Sequence, residues 1–177
     1  MILAGRRHVR SALLLAACVA LLAACSRAEV FRQEAYVFGT RVDVAVYGSD
    51  PARAEAAMAA VLREFDRLHR AYHAWEPSEL TALNAAIARG ETLEVSDELA
   101  AMLRDAQRIA AAGDGLFDPA LGGLIALWGF HTDTFVAQRP DPDELRALLD
   151  ARPRIADLVI DGRRVSSRNR AVQLDLG

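Results

Sequence analysis

Hydrophobic and polar positions follow two different periods along the chain. In AYVFGTRVDVAVYG, Val42, Val44 and Val46 fall on one face and Arg41 and Asp43 on the other, the two-residue period of a strand. Gly39 interrupts this strand, as a bulge or a close backbone approach would. The period then lengthens. After Asp50, a candidate cap, and Pro51, suited to a first turn, Met58, Val61, Leu62, Phe65, Leu68 and Tyr72 recur at helical spacing. A shorter helix is predicted in SELTALNAAIARG, closed by Gly90. Another starts at Ser96, carries Asp97 and Glu98 in its first turn and ends near Gly113. Its apolar stripe, Leu99, Met102, Leu103, Ala106 and Ile109, is expected in the core.

The stretch DGLFDPALGGLIALWGF has no clean period. Glycines, a proline and aromatics surround one acid, as in a buried irregular element or the wall of a site. Trp128 and Phe130 are read as core. A capped helix is predicted from Asp141-Pro142, with Asp143 and Glu144 as helix-start charge. LVIDGRRV reads as a hairpin turning at Asp161-Gly162, with a final strand, Ala171 to Leu176, as its neighbour. There is no repeat, low-complexity tract or internal linker. These elements describe one α+β domain.

The N-terminal stretch changes this picture. Arg6, Arg7 and Arg10 precede an apolar run too short to span a membrane and remain there, and Leu22-Ala23-Ala24-Cys25 resembles a bacterial lipobox. Residues 1–24 are therefore expected to be a lipoprotein signal peptide, Cys25 the lipidated residue, and residues 25–35 a tether. Cys18 leaves with the leader, so the mature chain keeps no thiol for disulfide, redox or zinc chemistry. The chain contains no lysine, and its arginines are scattered. Without the leader the formal charge moves from −3 to −6, which disfavours a nucleic-acid partner. Membrane contact is expected through the lipid, on the periplasmic side of a bacterial envelope.

Most familiar catalytic signatures are missing. His69 and His73 stand four apart, but without a HExxH pattern a solvated helix face accounts for them better than a metal site. There is no Walker-type phosphate loop, paired-glycine dinucleotide motif or nucleophile elbow. Three features remain: the backbone turn at Phe38-Gly39-Thr40, Trp75 before Glu76-Pro77-Ser78, and Leu116-Phe117-Asp118-Pro119. Together they offer a stacking surface, a carboxylate and exposed amides, as a planar heteroaromatic ligand needs, though on spacing alone packing accounts for them better.

In order and spacing, FGT, AWEPSELTALN, GLFDPALGGLIALWGF and LDLG resemble the FAD:protein FMN transferases, formerly called thiamine-biosynthesis lipoproteins, from Tyr36 to the last residue. The resemblance implies a flavin-transferase-like domain of mixed or antiparallel sheet with packed helices, residues 36–177 being its N-terminal part. It implies an enzyme: Mg²⁺-dependent transfer of FMN from FAD to a Ser or Thr of a partner protein through a phosphoester, with release of AMP. It also implies FAD contacts at Phe38, where the family usually has Met, and at Trp75, Leu116, Phe117, Asp118 and Asp175. The acceptor is expected to be a subunit of a membrane redox complex. Asp175 opens a motif that the family continues past Gly177, where the metal ligands and catalytic residues are expected. The 177-residue chain alone is accordingly expected to show no flavinylation. Two other functions fit the same pocket: an FAD-binding lipoprotein without catalysis, and an FAD pyrophosphatase giving FMN and AMP.

Overall fold

The computed structural model describes residues 29–48, 50–132, 134 and 139–176. The expected leader, Cys25 and Gly177 lie outside the described residues. Glu29–Val37 (β1) and Thr40–Gly48 (β2) pair as a hairpin. At its tip Phe38 (φ 56°) and Gly39 (φ 67°) both take left-handed backbone, as the central residues of a type I′ turn do. The interrupted strand expected here is thus two strands, and β1 begins inside the segment expected to be a tether. The usual Asn-Gly or Asp-Gly signal is missing because Phe38 holds the first turn position. In β2, half-buried Val42, Val44 and Val46 alternate with exposed Arg41, Asp43 and Ala45, as their spacing requires.

The first helix, Pro51–Tyr72 (α1), begins where Asp50 accepts the Arg53 N–H at 3.2 Å. Chain contacts divide the molecule into two compact units. The hairpin arms and α1 as far as Arg63 make one, in which Ala54 and Met58 are buried. The hairpin tip, Tyr36–Arg41, and the described residues from Glu64 onward make the other.

That second unit contains helices Glu79–Arg89 (α2), Asp97–Ala112 (α3), Gly122–Leu127 (α4) and Pro142–Ala151 (α5). Strands Leu93–Glu94 (β3), Leu158–Asp161 (β4) and Arg164–Ser167 (β5) form an antiparallel sheet ordered β3-β5-β4. Ser78 and Thr81 form a capping box on α2, and Gly90 (φ 77°) ends it. Ser96 caps α3 and bonds through its hydroxyl to Glu79, so one carboxylate joins the starts of both helices. Asp141 caps α5 through the N–H groups of Asp143 and Glu144. The β4–β5 loop is Gly162-Arg163, one residue later than expected, because Asp161 pairs with Arg164. Gly162 supplies the positive φ (60°) of that turn.

The core lies between α2, α3 and this sheet. Leu80, Leu83 and Ile87 of α2 meet Leu99 and Leu103 of α3, with Val165 and Leu158 from the sheet and Val172 and Leu174 from the C-terminal segment. Each fully buried leucine contributes about 2 kcal/mol relative to exposure. Gln107 on α3 donates to the carbonyls of Ile155 and Leu158, both at 3.0 Å, and so fastens the helix to the edge of β4.

The C-terminal segment is not a neighbour of the hairpin. Gln173 instead makes a parallel bridge with Leu121, and the Gly122 N–H donates to the Gln173 carbonyl at 2.8 Å. Asp175 N–H donates to the Pro119 carbonyl at 2.9 Å. The Asn84 side-chain amide completes the clamp, donating to Leu174 O at 2.9 Å and accepting from Leu174 N at 2.7 Å. Long-range partners therefore take the bonds that a strand neighbour would have made. Gly122 is required at the crossing, since a Cβ there would stand 2.8 Å from the Gln173 carbonyl oxygen. The preceding loop is held by Asp118, whose Oδ1 accepts from Ala120 N and Ile155 N, each at 2.9 Å.

On the surface, Arg67 of α1 forks onto two carboxylates. Its guanidinium reaches Glu98 on α3 at 2.7 and 3.0 Å and Glu64 at 2.8 and 3.0 Å. Hydrogen bonds from Arg67, then from Tyr72, hold Glu98 below its ordinary pKa, and the Arg67 bond lowers Glu64 likewise. Burial, and then the bond donated to Glu98, push the Tyr72 phenol up. A depressed carboxylate adds stability above its unfolded pKa, ordinarily 4.5, and loses it as the pH falls through the lower folded value. The melting-temperature advantage of the wild type over Arg67→Met is therefore expected at pH 7 and should shrink steadily below 4.5. An advantage that grows on acidification contradicts this assignment. A second variant pair tests the loop clamp. Asp118→Ala strands two backbone donors and should cost about 2 kcal/mol in urea unfolding, whereas Asp118→Asn, which keeps an acceptor, should cost less than about 1 kcal/mol.

Candidate functional site

A cavity of about 850 Å³ opens within the second unit. That volume suits a cofactor-sized ligand. One wall is the face of α3 carrying Met102, Asp105, Ala106 and Ile109, an i, i+3, i+4, i+7 stripe. Opposite α3 in sequence, the loop after it contributes Phe117, Asp118 and Pro119, and α4 contributes Leu124 and Ile125. Trp128 and Phe130, just beyond α4, Trp75, after α1, and Phe38 at the hairpin tip supply the aromatic lining.

This corrects two expectations. Trp128 and Phe130 are not core: both are substantially exposed on the cavity wall. Ile109 likewise leaves the predicted core stripe of α3 and Met102 sits at its border, packed against the core and lining the cavity, while Leu99, Ala100, Leu103, Ala106 and Ala110 are buried. Helical spacing groups residues on a face without telling whether protein or a cavity covers it.

Of the six residues singled out as flavin contacts, Phe38, Trp75, Phe117, Asp118 and Asp175 line this one cavity. Leu116 does not; it is 95% exposed outside the lining. The five arrive by different routes. Phe38 is carried by the left-handed turn, a conformation a bulky residue adopts at a cost of about 1 kcal/mol or more. Its ring packs edge-on against Phe65 and His69, both with centroids 5.8 Å away. Trp75 sits in a loop shaped by His73, whose Nδ1 accepts from Glu76 N at 3.1 Å. Asp118 has one carboxylate oxygen engaged by two backbone donors, so its first role is to hold the loop. Asp175 is set by the clamp on the C-terminal segment.

Among the described residues His69 and His73 are not joined by a third His, Cys, Asp or Glu. They continue an aromatic series instead: His69 and His73 centroids lie 4.7 Å apart, His73 and Trp75 4.4 Å, and Trp75 and His131 5.1 Å with planes 25° apart. His131 is the functional candidate that sequence reasoning passed over. Its Nε2 lies 3.0 Å from Asp175 Oδ2, and both side chains are nearly buried, at 8% and 11% exposure. A carboxylate oxygen accepts, so Nε2 donates. The available signal was a histidine directly after the aromatic WGF run.

Aromatic faces, apolar side chains and the carboxylates of Asp105, Asp118 and Asp175 can take a planar ring with polar edge groups by stacking and hydrogen bonding. Among the described residues no three His, Cys, Asp or Glu side chains group as a cation site, so no chemical step is routed through a metal on them.

Known proteins are similar to this chain. An FAD:protein FMN transferase of Rhodobacter capsulatus is 45% identical over 148 residues, covering 80% of this chain and 27% of that protein. The flavinyl transferase ApbE of Pseudomonas stutzeri, solved in its apo form, is 25% identical with a TM-score of 0.67, covering 84% of this chain and 49% of that one. The ApbE protein of Thermotoga maritima has the same fold, with a TM-score of 0.72 at 24% identity over 84% of this chain and 47% of that one. The chain thus spans about a quarter of the curated Rhodobacter relative and about half of these solved structures. Residues 38–177, from the hairpin tip to the clamped segment, match the ApbE family, and the chain belongs to it.

Proposed function

We propose that the aromatic cavity binds FAD and serves transfer of its FMN moiety to a Ser or Thr of a partner protein. The observation that carries this reading is the convergence of Phe38, Trp75, Phe117, Asp118 and Asp175 on one cavity of cofactor size. The names of the relatives support it as well. In the proposed reaction the acceptor hydroxyl oxygen bonds to the FMN-side phosphorus and its proton is released to solvent. The bond from that phosphorus to the bridging oxygen breaks, and AMP leaves. Mg²⁺, when bound, would neutralise pyrophosphate oxygens that repel the nucleophile. The residues described here bind and orient the flavin end. Trp75, Phe117 and Trp128 offer stacking faces, and the wall of α3 excludes water from the ring.

The partner is proposed to be a subunit of a membrane redox complex. The chain is proposed to reach it from the envelope, facing the periplasm, held by lipid on Cys25. The lipobox-like Leu22-Ala23-Ala24-Cys25 supports this.

Two measurements test the reading. Titration of FAD with the purified protein should quench flavin fluorescence saturably, and Trp75→Ala should weaken binding about tenfold, the loss expected for one stacking partner. An unquenched flavin, or full affinity in Trp75→Ala, contradicts it. Labelling of expressing cells with a palmitate analogue should mark the wild type and not Cys25→Ala. Equal labelling of both rules out the anchor.

A further inference from the structure

We propose that His131 is a positioning residue of the flavin site, setting the Asp175 carboxylate and the Trp75 ring as one unit; this rests on the FAD reading above. Three observations support it. His131 Nε2 donates to Asp175 Oδ2 at 3.0 Å, with both side chains nearly buried, so the bond is shielded from competing water. The imidazole lies stacked against the Trp75 indole at 5.1 Å and 25°. Trp75 and Asp175 both line the cavity, whereas His131 does not. His131 thus stands behind the wall, touching two members of the lining that belong to distant parts of the sequence.

The geometry gives each contact a separate effect. Asp175 has its backbone fixed by Pro119, and the bond to His131 Nε2 adds a fixed point on its side chain. The stack against the imidazole fixes the plane of the indole, whose ring lines the cavity. A stacked, hydrogen-bonded ring therefore orders two ligand-facing groups before the ligand arrives, and the ordering cost is not charged to binding.

The alternative is that the pair merely holds the fold together. A double-mutant cycle on FAD affinity separates the two, with melting temperature recorded in parallel. His131→Phe keeps a ring beneath Trp75 and removes the donor, and should weaken FAD binding about tenfold, as loss of a bond to a charged group does. Asp175→Asn should weaken it similarly. The double variant should be no weaker than the weaker single, because His131 acts through Asp175. His131→Gln, which offers an N–H at the reach of Nε2, should recover affinity to within about threefold of the wild type.

Full affinity in His131→Phe, or effects that multiply in the double variant, overturns the proposal. So does a Gln variant as weak as the Phe one while melting like the wild type. Should His131→Phe fail to fold, the cycle between His131→Gln and Asp175→Asn decides. Their effects must then be non-additive, and additivity overturns the proposal. A wild type that binds no FAD would instead remove the functional reading itself.

Discussion

The cavity depends on how a short run of backbone is held. Gln173, Leu174 and Asp175 lie outside the named strands, and their polar groups are met by the Gly122 N–H, the Asn84 amide and the Pro119 carbonyl. Buried backbone left without such partners would cost about 1–3 kcal/mol per group. The clamp satisfies these groups and, in doing so, brings α2, the loop before α4 and the C-terminal segment to one crossing. Gly122 lets the chains approach closely enough. Asp118 fixes the same loop from its other side, through Ala120 and Ile155. The crossing is also where two of the site's carboxylates emerge.

From that crossing outward, stability and function divide the same elements between them. One face of α3 sends Leu99 and Leu103 into the core; an adjacent face sends Met102 and Ile109 to the cavity. The aromatic series from Phe38 through His69, His73 and Trp75 to His131 packs edge to edge and ends in a stack. Large rings left half-exposed in a concave wall are unfavourable in water. A planar ligand would relieve that exposure.

Much of this was legible in the sequence, for identifiable reasons. Ser78, Gly90, Ser96 and Asp141 mark helix ends through local hydrogen bonds, so their roles follow from neighbouring residues. The α+β class and the leucine stripes follow from periodicity in the same way. What escaped is non-local. Asn84 serves Leu174, ninety residues away, and no local pattern announces such a pairing. Trp128 and Phe130 have core-like spacing, but what they face is empty volume. Leu116 shares a motif with Phe117 and Asp118 but is almost fully exposed and is not among the side chains lining the cavity. His131 shows its importance only when Asp175 and Trp75 are seen around it.

The central claim is that a flavin occupies the cavity bounded by α3, α4 and the clamped segment. The chain has two tryptophans, and both Trp75 and Trp128 line that cavity. The direct measurement is a titration with FAD that follows the two indole N–H resonances by NMR. The account predicts that both shift and saturate together at the affinity given by flavin fluorescence. Saturable FAD binding that leaves both indole resonances unmoved would place the flavin elsewhere and contradict it.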